Sequence, residues 1–596
     1  MHLLRRTPAL FAALCALAAV ASPASAADPA PFGHACTAEG GVRFCPTSDL
    51  SQRIPTFDGV PLDVDVTLPP NGNGPFPALV LMHGYGGNKG AYEAASANDP
   101  KKRFANNLYY AQRGYAVITL SARGFGRSCG SATSRTPDCA KGWIHLGDQR
   151  YEARDTQVLL GRLVDEGIVD PKRIGVSGGS YGGGQAMELA FLKNRVRLEN
   201  GKFSAWKSPK GARLRIAAAA PVIPWSDLAS ALVPNGRWLD TDVPSSRIDT
   251  SPIGVPIISY INGLYIGGAA AGFVAPPGAD SRADLSTWKA VTEVGDFKDQ
   301  RVPKIASEFH RFHSAISIPG TPAPLLISNG WRDDLFPVGQ ALRVYNLLRA
   351  RHANAPVSLS LLNVGHPPAG NKDATAAAGA KMISSFFDAR LRGKGRAPAA
   401  GSVYAGSVTC PQTAPDSALV RSKDWNAAHP GTFTISGRKA QTATSDGGNP
   451  ATGKAFDPIG GVGDQCKTVP AEKANGTAVV QAKSPGFTLL GLTTITAEIR
   501  AKGAFPYLAA RLWEVKGGQQ LLVDRGVVRL DPNQRGRLRF QLHGTDHRFA
   551  RGSTVKLELL GRDANYYQAS TLPFSVKVSN VSAELPTRER GERRAR

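Results

Sequence analysis

The feature that most constrains this chain is a serine set among glycines, between a strand-like run and a helix-like run. Residues 178–183 read Gly-Gly-Ser-Tyr-Gly-Gly, with the serine at Ser180. An apolar run at 173–176 precedes them, and residues 185–192 follow with helical character. This context predicts a tight strand-to-helix turn that holds the serine hydroxyl clear of a sheet. Its neighbours must be small, because a Cβ would clash with the adjoining strand and helix.

The region around this turn alternates short apolar runs with longer mixed segments. The runs that predict strands are residues 78–82, 115–120, 173–176, 324–328 and 357–362. Continuous apolar strands are typical of sheets buried on both faces, and alternation with helices favours a mainly parallel sheet. We therefore expect an α/β domain over residues 27–398. Within it, the long Pro- and Gly-rich segment 226–314 interrupts the alternation and predicts a cap over one end of the sheet.

The pattern changes after Gly401. Helical periodicity fades, and strand-like runs recur at short spacing, for example at 493–499, 507–513 and 574–578. Alternating polar and apolar residues with turns between them predict an all-β sandwich, here residues 399–587. The remaining basic tail, residues 588–596, is polar and we expect it to be disordered.

The chain begins like an exported protein. Arg5 and Arg6 precede the apolar run Ala9 to Val20, and Ala24-Ser25-Ala26 has the small residues of a cleavage site. We expect residues 1–26 to be a signal peptide and the protein to be secreted. Its removal leaves six cysteines, in the close pairs Cys36 and Cys45, Cys129 and Cys139, and Cys410 and Cys466. Local pairing into disulfides is our prediction, with free buried thiols as the alternative.

Net charge and hydropathy restrict the kinds of binding partner that we expect for this protein. The net charge of +24 is spread along the chain rather than gathered in blocks, which suits association with an anionic cell wall and does not predict a nucleic-acid partner. Between Asp249 and Asp280 there is no charged residue, but prolines, glycines and Asn262 interrupt the apolar run. We expect a buried or lid-like segment there and no membrane span.

A serine on such a turn is a weak nucleophile and needs a base and an acid, which follow it in the chain order serine, acid, histidine. Asp333 follows the predicted strand 324–328, and His366 follows the strand 357–362. Ser180, Asp333 and His366 are therefore the predicted catalytic residues. Asp334 stays open as an alternative acid.

Acyl transfer also needs hydrogen-bond donors for an oxyanion. The Gly-rich loop from His83 to Gly87 follows the first strong strand and predicts the backbone N–H of Tyr85 as one donor. The N–H of Tyr181, directly after the serine, is the second. The sequence contains no H-E-x-x-H, four-cysteine or Walker pattern, so we expect neither a metal nor a cofactor.

Three motifs carry a resemblance to a known family. The turn at 178–183 has the form G-x-S-Y-x-G, residues 330–333 read Gly-Trp-Arg-Asp, and residues 123–128 read Arg-Gly-Phe-Gly-Arg-Ser. In these motifs the chain resembles the X-Pro dipeptidyl-peptidases of peptidase family S15 and the cocaine-esterase-like hydrolases. The resemblance implies an α/β-hydrolase fold with a cap and a C-terminal jelly-roll-like domain. It favours Asp333 over Asp334, and it implies that the Tyr85 hydroxyl also donates to the oxyanion.

The resemblance leaves the substrate open. A dipeptidyl-peptidase must hold a substrate α-ammonium, and no cluster for it stands out in this sequence. The available residues are Asp227, Asp240, Asp242 and Glu308 with Trp225 and Trp238. We expect a secreted serine hydrolase acting on a small peptide or ester substrate, with X-Pro dipeptidyl-peptidase activity first. Carboxylic-ester hydrolysis, acyl transfer and binding by an inert fold remain alternatives.

Overall fold

The computed structural model describes residues 29–244, 253–294, 299, 301–461 and 464–595. The predicted signal peptide, residues 1–26, lies outside the described residues. Strands β1 to β15 are β1 (Thr37–Glu39), β2 (Val42–Cys45), β3 (Ile54–Pro55), β4 (Pro61–Leu62), β5 (Val64–Leu68), β6 (Phe76–Met82), β7 (Ala116–Leu120), β8 (Val169–Gly179), β9 (Arg195–Arg197), β10 (Phe203–Ala205), β11 (Ile216–Val222), β12 (Leu325–Gly330), β13 (Val357–Leu362), β14 (Val403–Ala405) and β15 (Val420–Ser422).

Eleven of these strands form one sheet in the order β1-β2-β5-β7-β6-β8-β11-β12-β13-β14-β15. All neighbours from β7 to β14 in this order pair in parallel. Every residue of β7, β12 and β13 is buried. The predicted mainly parallel sheet is therefore confirmed, and the continuous apolar runs reflect burial on both faces.

Helices pack on both faces of this sheet. The helices of the α/β part, including those of the predicted cap, are α1 (Asn107–Gln112), α2 (Glu152–Asp165), α3 (Tyr181–Leu192), α4 (Leu228–Leu232), α5 (Ile258–Ala271), α6 (Leu285–Val294), α7 (Arg301–Phe312), α8 (Val338–Arg351) and α9 (Asp373–Leu391). Leu79 and Leu81 of β6 face α1 and α9, whereas Val80 and Met82 face α2, α3 and α8. The two-residue period of the strand thus sends alternate side chains into two apolar cores.

Helices α4 to α7 lie between β11 and β12, inside the segment predicted as a cap. The uncharged stretch forms α5, and the Tyr260 hydroxyl of this helix donates to the Pro367 carbonyl at 2.7 Å. Helix α5 therefore lies against the loop that follows β13. Among the described residues, no helix has both the length and the apolar character of a membrane span.

The rest of the chain is a β sandwich. Its elements are β16 (Gly431–Gly437), β17 (Gln441–Thr444), β18 (Thr468–Pro470), β19 (Thr477–Lys483), β20 (Phe487–Gly491), β21 (Thr494–Lys502), β22 (Tyr507–Lys516), β23 (Gln519–Arg529), β24 (Arg535–Gln541), β25 (Thr545–Phe549), β26 (Thr554–Leu560), β27 (Ser575–Thr587) and β28 (Gly591–Arg594), with the short helices α10 (Trp425–Ala428) and α11 (Pro450–Ala455). An eight-stranded sheet built around β21, β27 and β16 packs on the five-stranded sheet β18-β23-β22-β26-β19. The predicted all-β architecture is confirmed, but the sandwich strands begin at β16 and not at residue 399, because β14 and β15 extend the eleven-stranded sheet.

The predicted disorder of the basic tail is wrong. Residues Gly591–Arg594 form β28, which pairs in parallel with β16 at the edge of the eight-stranded sheet. All four side chains are exposed, so their charges stay in water while the backbone pairs. The carboxylate of Glu589 accepts the Thr488 N–H at 2.9 Å and holds the turn that returns the chain to the sheet.

The structure confirms the three predicted disulfides, Cys36–Cys45, Cys129–Cys139 and Cys410–Cys466. The first two close short loops, with sequence separations of 9 and 10 residues. The third joins the segment after β14 to the segment before β18, and so links the α/β part to the sandwich.

The packing at the serine turn makes a stability prediction. A Cβ on Gly182 would lie 2.0 Å from the Met82 carbonyl oxygen, whereas a Cβ on Gly267 of α5 would meet no atom within 4 Å. We expect Gly182→Ala to lower the free energy of unfolding by about 3 kcal/mol or more. Gly267→Ala, the matched control, should raise it by up to about 1 kcal/mol, because alanine favours a helix. Urea unfolding measures both changes, and equal stabilities for the two variants would contradict the packing.

Candidate active site

Ser180 lies between β8 and α3 in a strained backbone conformation, with φ +54° and ψ −111°. A non-glycine residue with positive φ costs about 1–3 kcal/mol and persists only where its surroundings hold it. The Ser180 N–H donates to the Val222 carbonyl of β11 at 3.0 Å. A Cβ on Gly178 would lie 2.4 Å from the Met82 carbonyl of β6, and one on Gly183 2.3 Å from the Val222 carbonyl. Two neighbouring strands therefore hold the turn, as the small residues predict.

The structure brings the three predicted catalytic side chains together. Ser180 Oγ lies 2.7 Å from His366 Nε2, and His366 Nδ1 lies 2.8 Å from Asp333 Oδ2. Asp333 Oδ1 also accepts the N–H groups of Leu335 and Phe336, at 2.9 and 2.7 Å. Because an ionised carboxylate only accepts, Nδ1 carries the proton and Nε2 presents its lone pair to the serine hydroxyl.

The adjacent carboxylate has a different role. Asp334 lies 2.9 Å from Arg525 and 3.5 Å from the His543 ring, both in the sandwich. Burial alone would raise the pKa of Asp334, but the charge of Arg525 and the hydrogen bond from His543 outweigh it, and the pKa lies below its ordinary value. Asp334 therefore contacts the sandwich, whereas Asp333 contacts the histidine.

The same loop anchors the two parts of the chain to each other. The buried guanidinium of Arg332 donates to the carbonyls of Gln465, Leu522 and Val523, at 3.0, 2.7 and 2.9 Å. Each of these bonds satisfies a backbone acceptor in or near the sandwich. The position of Asp333 is thus determined by contacts with both the parallel sheet and the sandwich.

The two backbone N–H groups that the sequence predicts as oxyanion donors are not engaged in hydrogen bonds with described residues. In the described part of the chain, neither the N–H of Tyr85 nor that of Tyr181 donates to an acceptor. Tyr181 is the first residue of α3, where N–H groups have no partner inside the helix and the dipole favours negative charge. A Cβ on Gly84 would lie 3.7 Å from the Ser180 Cβ, so the Tyr85 loop passes directly beside the Ser180 side chain.

The hydroxyl groups of both tyrosines are already engaged. Tyr85 Oη donates to the Leu264 carbonyl of α5 at 3.1 Å, and Tyr181 Oη donates to the buried Glu152 at 2.8 Å. The resemblance implied that the Tyr85 hydroxyl would point to the oxyanion, but in this structure it contacts the cap. The rings of Tyr85, Tyr181 and Phe125 pack edge to face, with centroids 5.1–6.1 Å apart.

The loop that contains Arg123 and Phe125 is held by buried ion pairs next to this aromatic cluster. The buried Arg123 guanidinium pairs with Asp58 at 2.9 Å and Asp155 at 2.6 Å. His83 is structural as well, since its Nε2 accepts the Ala122 N–H at 2.9 Å. Burial lowers the pKa of His83 to about 4, so this ring stays neutral near pH 7.

Ser180 and His366 open into a large apolar cavity of about 1080 Å³ under the cap. Its apolar lining includes Leu146, Trp225, Leu264, Trp288, Phe309 and Phe336. The uncharged α5 and the apolar faces of α6 and α7 thus form one wall. Among the described residues, the charged side chains in the lining are those of Arg237, Asp242, Lys289 and Arg343. A pocket of this kind accepts a bulky apolar group and leaves few polar contacts for orientation.

The residues considered for a substrate ammonium are not gathered in one place. Asp227 contacts the His310 ring at 2.8 Å, Asp240 accepts from Trp425 at 3.0 Å and from Gln541 at 2.7 Å, and Glu308 pairs with Arg150 at 2.6 Å. Of the four carboxylates, only Asp242 lines the cavity, where Trp225 and Trp238 also lie. No described group of three or more His, Cys, Asp or Glu side chains is arranged to hold a metal ion.

Some residues of the site escaped sequence reasoning. Phe336 and Tyr260 pack against the His366 ring, at centroid distances of 5.1 and 6.3 Å, and Arg343 of α8 lines the cavity. Phe336 lies three residues after Asp333 and could have been found from that spacing. Nothing in the sequence distinguishes Arg343 from the other arginines of α8.

The comparisons agree with this architecture. The family model described as X-Pro dipeptidyl-peptidase (S15 family) matches residues 58–197, a stretch that holds Tyr85, Ser180 and Tyr181 but neither Asp333 nor His366. The resemblance stated from the motifs is thereby confirmed for this part of the chain. No curated protein matches the sequence significantly.

Three solved structures share the fold over nearly the whole chain. An alpha-amino acid ester hydrolase is 15% identical with a TM-score of 0.57, covering 92% of this chain and 98% of its own. A CocE/NonD family hydrolase from Staphylococcus aureus is 13% identical with a TM-score of 0.56, covering 92% and 94%. An aminopeptidase from a marine sediment archaeon, Thaumarchaeota archaeon, is 14% identical with a TM-score of 0.53, covering 91% and 96%. At such identities the likeness establishes the α/β-hydrolase fold with its C-terminal sandwich.

The contacts of Ser180 predict a reactive hydroxyl. A fluorophosphonate probe should label the protein on Ser180, and Ser180→Ala should abolish the label. Asp333→Asn should slow labelling by about 10³- to 10⁴-fold, because the amide stabilises the wrong histidine tautomer. Asp334→Asn is the matched control: it should label at the wild-type rate although its melting temperature falls. Labelling measured by intact mass over time separates these variants, and a rate loss confined to Asp334→Asn would reverse the assignment.

Proposed function

We propose that this protein is a serine hydrolase that cleaves acyl bonds through a covalent intermediate on Ser180. The observation that carries the proposal is the chain of contacts from Ser180 Oγ through the His366 ring to Asp333, at 2.7 and 2.8 Å. The match of residues 58–197 to a hydrolase family supports it. Asp333, His366 and Ser180 then act as acid, base and nucleophile, and the N–H groups of Tyr85 and Tyr181 receive the oxyanion.

The chemistry follows from this order. Ser180 Oγ attacks the carbonyl carbon of the substrate while its proton passes to His366 Nε2. The bond to the leaving group then breaks, and the leaving group takes that proton. A water molecule next gives a proton to His366 and attacks the acyl carbon, which releases the acid and returns the proton to Ser180. Asp333 stays ionised throughout and stabilises the imidazolium in each half of the reaction.

For the substrate, the cavity favours a carboxylic ester with a bulky apolar group. The lining is apolar and aromatic over most of its surface, and it extends from Ser180 to α6 and α7. An α-ammonium would need desolvated carboxylates around it, because an unpaired charge is costly in an apolar site. In the described residues only Asp242 offers a carboxylate to the cavity. Ester hydrolysis is therefore our first candidate.

X-Pro dipeptidyl-peptidase activity is the second candidate. The family model favours it, and Asp242 with the Trp238 ring beside it is the place where an α-ammonium could be held. The Asp242 carboxylate accepts the Leu239 N–H at 2.9 Å and keeps capacity for a further donor. This candidate requires Asp242 to bind the amine.

We also propose that the protein is exported. Three disulfides are consistent with an oxidising compartment, since structural disulfides are rare in the cytosol. Together with the expected signal peptide, they support a secreted enzyme that meets its substrate outside the cell.

A substrate panel decides between the two candidates. We expect Ser180-dependent hydrolysis of p-nitrophenyl esters, with kcat/KM rising as the acyl chain lengthens from two to about eight carbons, because each buried CH₂ stabilises binding by about 0.8 kcal/mol. Ala-Pro-nitroanilide and its N-blocked form should both be poor substrates. Preference for the free amine, lost in Asp242→Asn, would establish the peptidase instead. Ser180→Ala is the control for background hydrolysis.

A further inference from the structure

Among the charged residues that line the cavity, Arg343 is distinct. Arg237 pairs with Asp531 at 3.2 Å, and Lys289 pairs with Glu293 at 2.5 Å. Arg343 forms no hydrogen bond and no ion pair with any described residue, and its Cζ lies 4.6 Å from the centroid of the Trp238 ring. Its planar fork of N–H donors therefore has no acceptor among the described residues of a cavity that also holds Ser180.

The Arg343 guanidinium is charged, and the neighbouring carboxylates Asp227 and Asp242 are engaged in other hydrogen bonds. Burial lowers its pKa to about 10, with Asp227 and Asp242 opposing that effect, so the guanidinium carries its charge near pH 7. Asp227 already accepts the Ser230 N–H at 2.6 Å and contacts the His310 ring at 2.8 Å. Asp242 already accepts a backbone N–H of its own turn. The Arg343 side chain is only partly buried, so its unpaired N–H donors are accessible from the cavity and can bind an anion that arrives with the ligand.

The ring of Trp238 lies against the Arg343 guanidinium. The ring centroid is 4.6 Å from Arg343 Cζ, and a guanidinium presents its parallel N–H donors along an edge of its plane. That edge matches a carboxylate in a two-point hydrogen bond. A doubly charged phosphate fits less well, because Asp227 and Asp242 lie within electrostatic range of the same guanidinium.

We propose that Arg343 anchors a carboxylate at the far end of the substrate, so that the preferred substrate is an ester with an apolar middle and a carboxylate terminus. The inference rests on the proposed function and names its substrate class. The scissile ester lies at Ser180, the apolar middle fills the lined cavity, and the terminal carboxylate pairs with Arg343. A positively charged substrate end would be repelled at this position.

The test compares two series of p-nitrophenyl esters. One series consists of simple straight-chain acids with four to twelve carbons, and the other of the half-esters of dicarboxylic acids of the same lengths. The wild type should favour the half-esters by about 10-fold or more in kcat/KM at one optimal length, since charge-assisted hydrogen bonds contribute at that level. A general electrostatic attraction would show no optimal length. No preference at any length would overturn the inference.

Substitutions of arginines on α8 test whether Arg343 causes the preference for half-esters. Arg343→Met should reduce the preference at the optimal length to below about 2-fold, and Arg343→Lys should keep part of it. Arg349→Met is the matched control: Arg349 lies on the same helix, but its guanidinium is next to Gly401, outside the cavity lining. That variant should keep the full preference. An equal loss in Arg343→Met and Arg349→Met would contradict the assignment.

Binding without turnover separates this inference from the proposed function. Titration of the octanedioic half-ester into Ser180→Ala by calorimetry should show binding that is weakened about 10-fold in Ser180→Ala/Arg343→Met. If no ester is hydrolysed by the wild type, the proposed function fails. If simple esters are hydrolysed in a Ser180-dependent manner and the half-esters are neither preferred nor bound more tightly, only the carboxylate anchor fails.

Discussion

The close approach of β6, β8 and β11 around Ser180 is the constraint on which the site depends. Carbonyl oxygens of Met82 and Val222 occupy the space that side chains at Gly178 and Gly183 would need. This contact holds Ser180 at positive φ, at a cost of about 1–3 kcal/mol that the surrounding sheet outweighs. The same geometry starts α3 directly behind the serine, so the Tyr181 N–H and the positive end of the helix dipole lie beside Ser180. The proposed nucleophile and one proposed oxyanion donor thus depend on one packing arrangement.

The sandwich contributes to the site through the loop after β12. In four successive residues, Trp331 stacks near Trp425, Arg332 donates to three sandwich carbonyls, Asp333 holds His366, and Asp334 pairs with Arg525. Four adjacent residues of this loop therefore contribute to the apolar core, to the interface with the sandwich and to the contact with His366. Because the interface contacts are buried charges and backbone acceptors, loss of one would weaken the packing of this loop on the sandwich. The sandwich thus has a direct structural link to the histidine.

The sequence predicted the parts of this molecule that local chemistry determines. The serine turn, the parallel sheet, the disulfide pairs and the positions of Asp333 and His366 after their strands all follow from patterns whose structural context is specific. Contacts between distant segments did not follow. The Tyr85 hydroxyl contacts a cap carbonyl 179 residues away, and β28 adds to the sheet through backbone pairing that a polar sequence does not reveal. Arg343 likewise could not be singled out from the sequence, because a helical arginine becomes distinctive only when the acceptors around it are known.

The proposed function requires Ser180 to become covalently acylated, and trapping that intermediate tests it most directly. A p-nitrophenyl ester of a bulky acid that deacylates slowly would be mixed with the protein, quenched in acid and digested. We expect the peptide carrying Ser180 to gain one acyl group per chain at the rate at which nitrophenol appears. Release of nitrophenol with the acyl group on another residue, or with none on Ser180 while the ester is consumed, would contradict it.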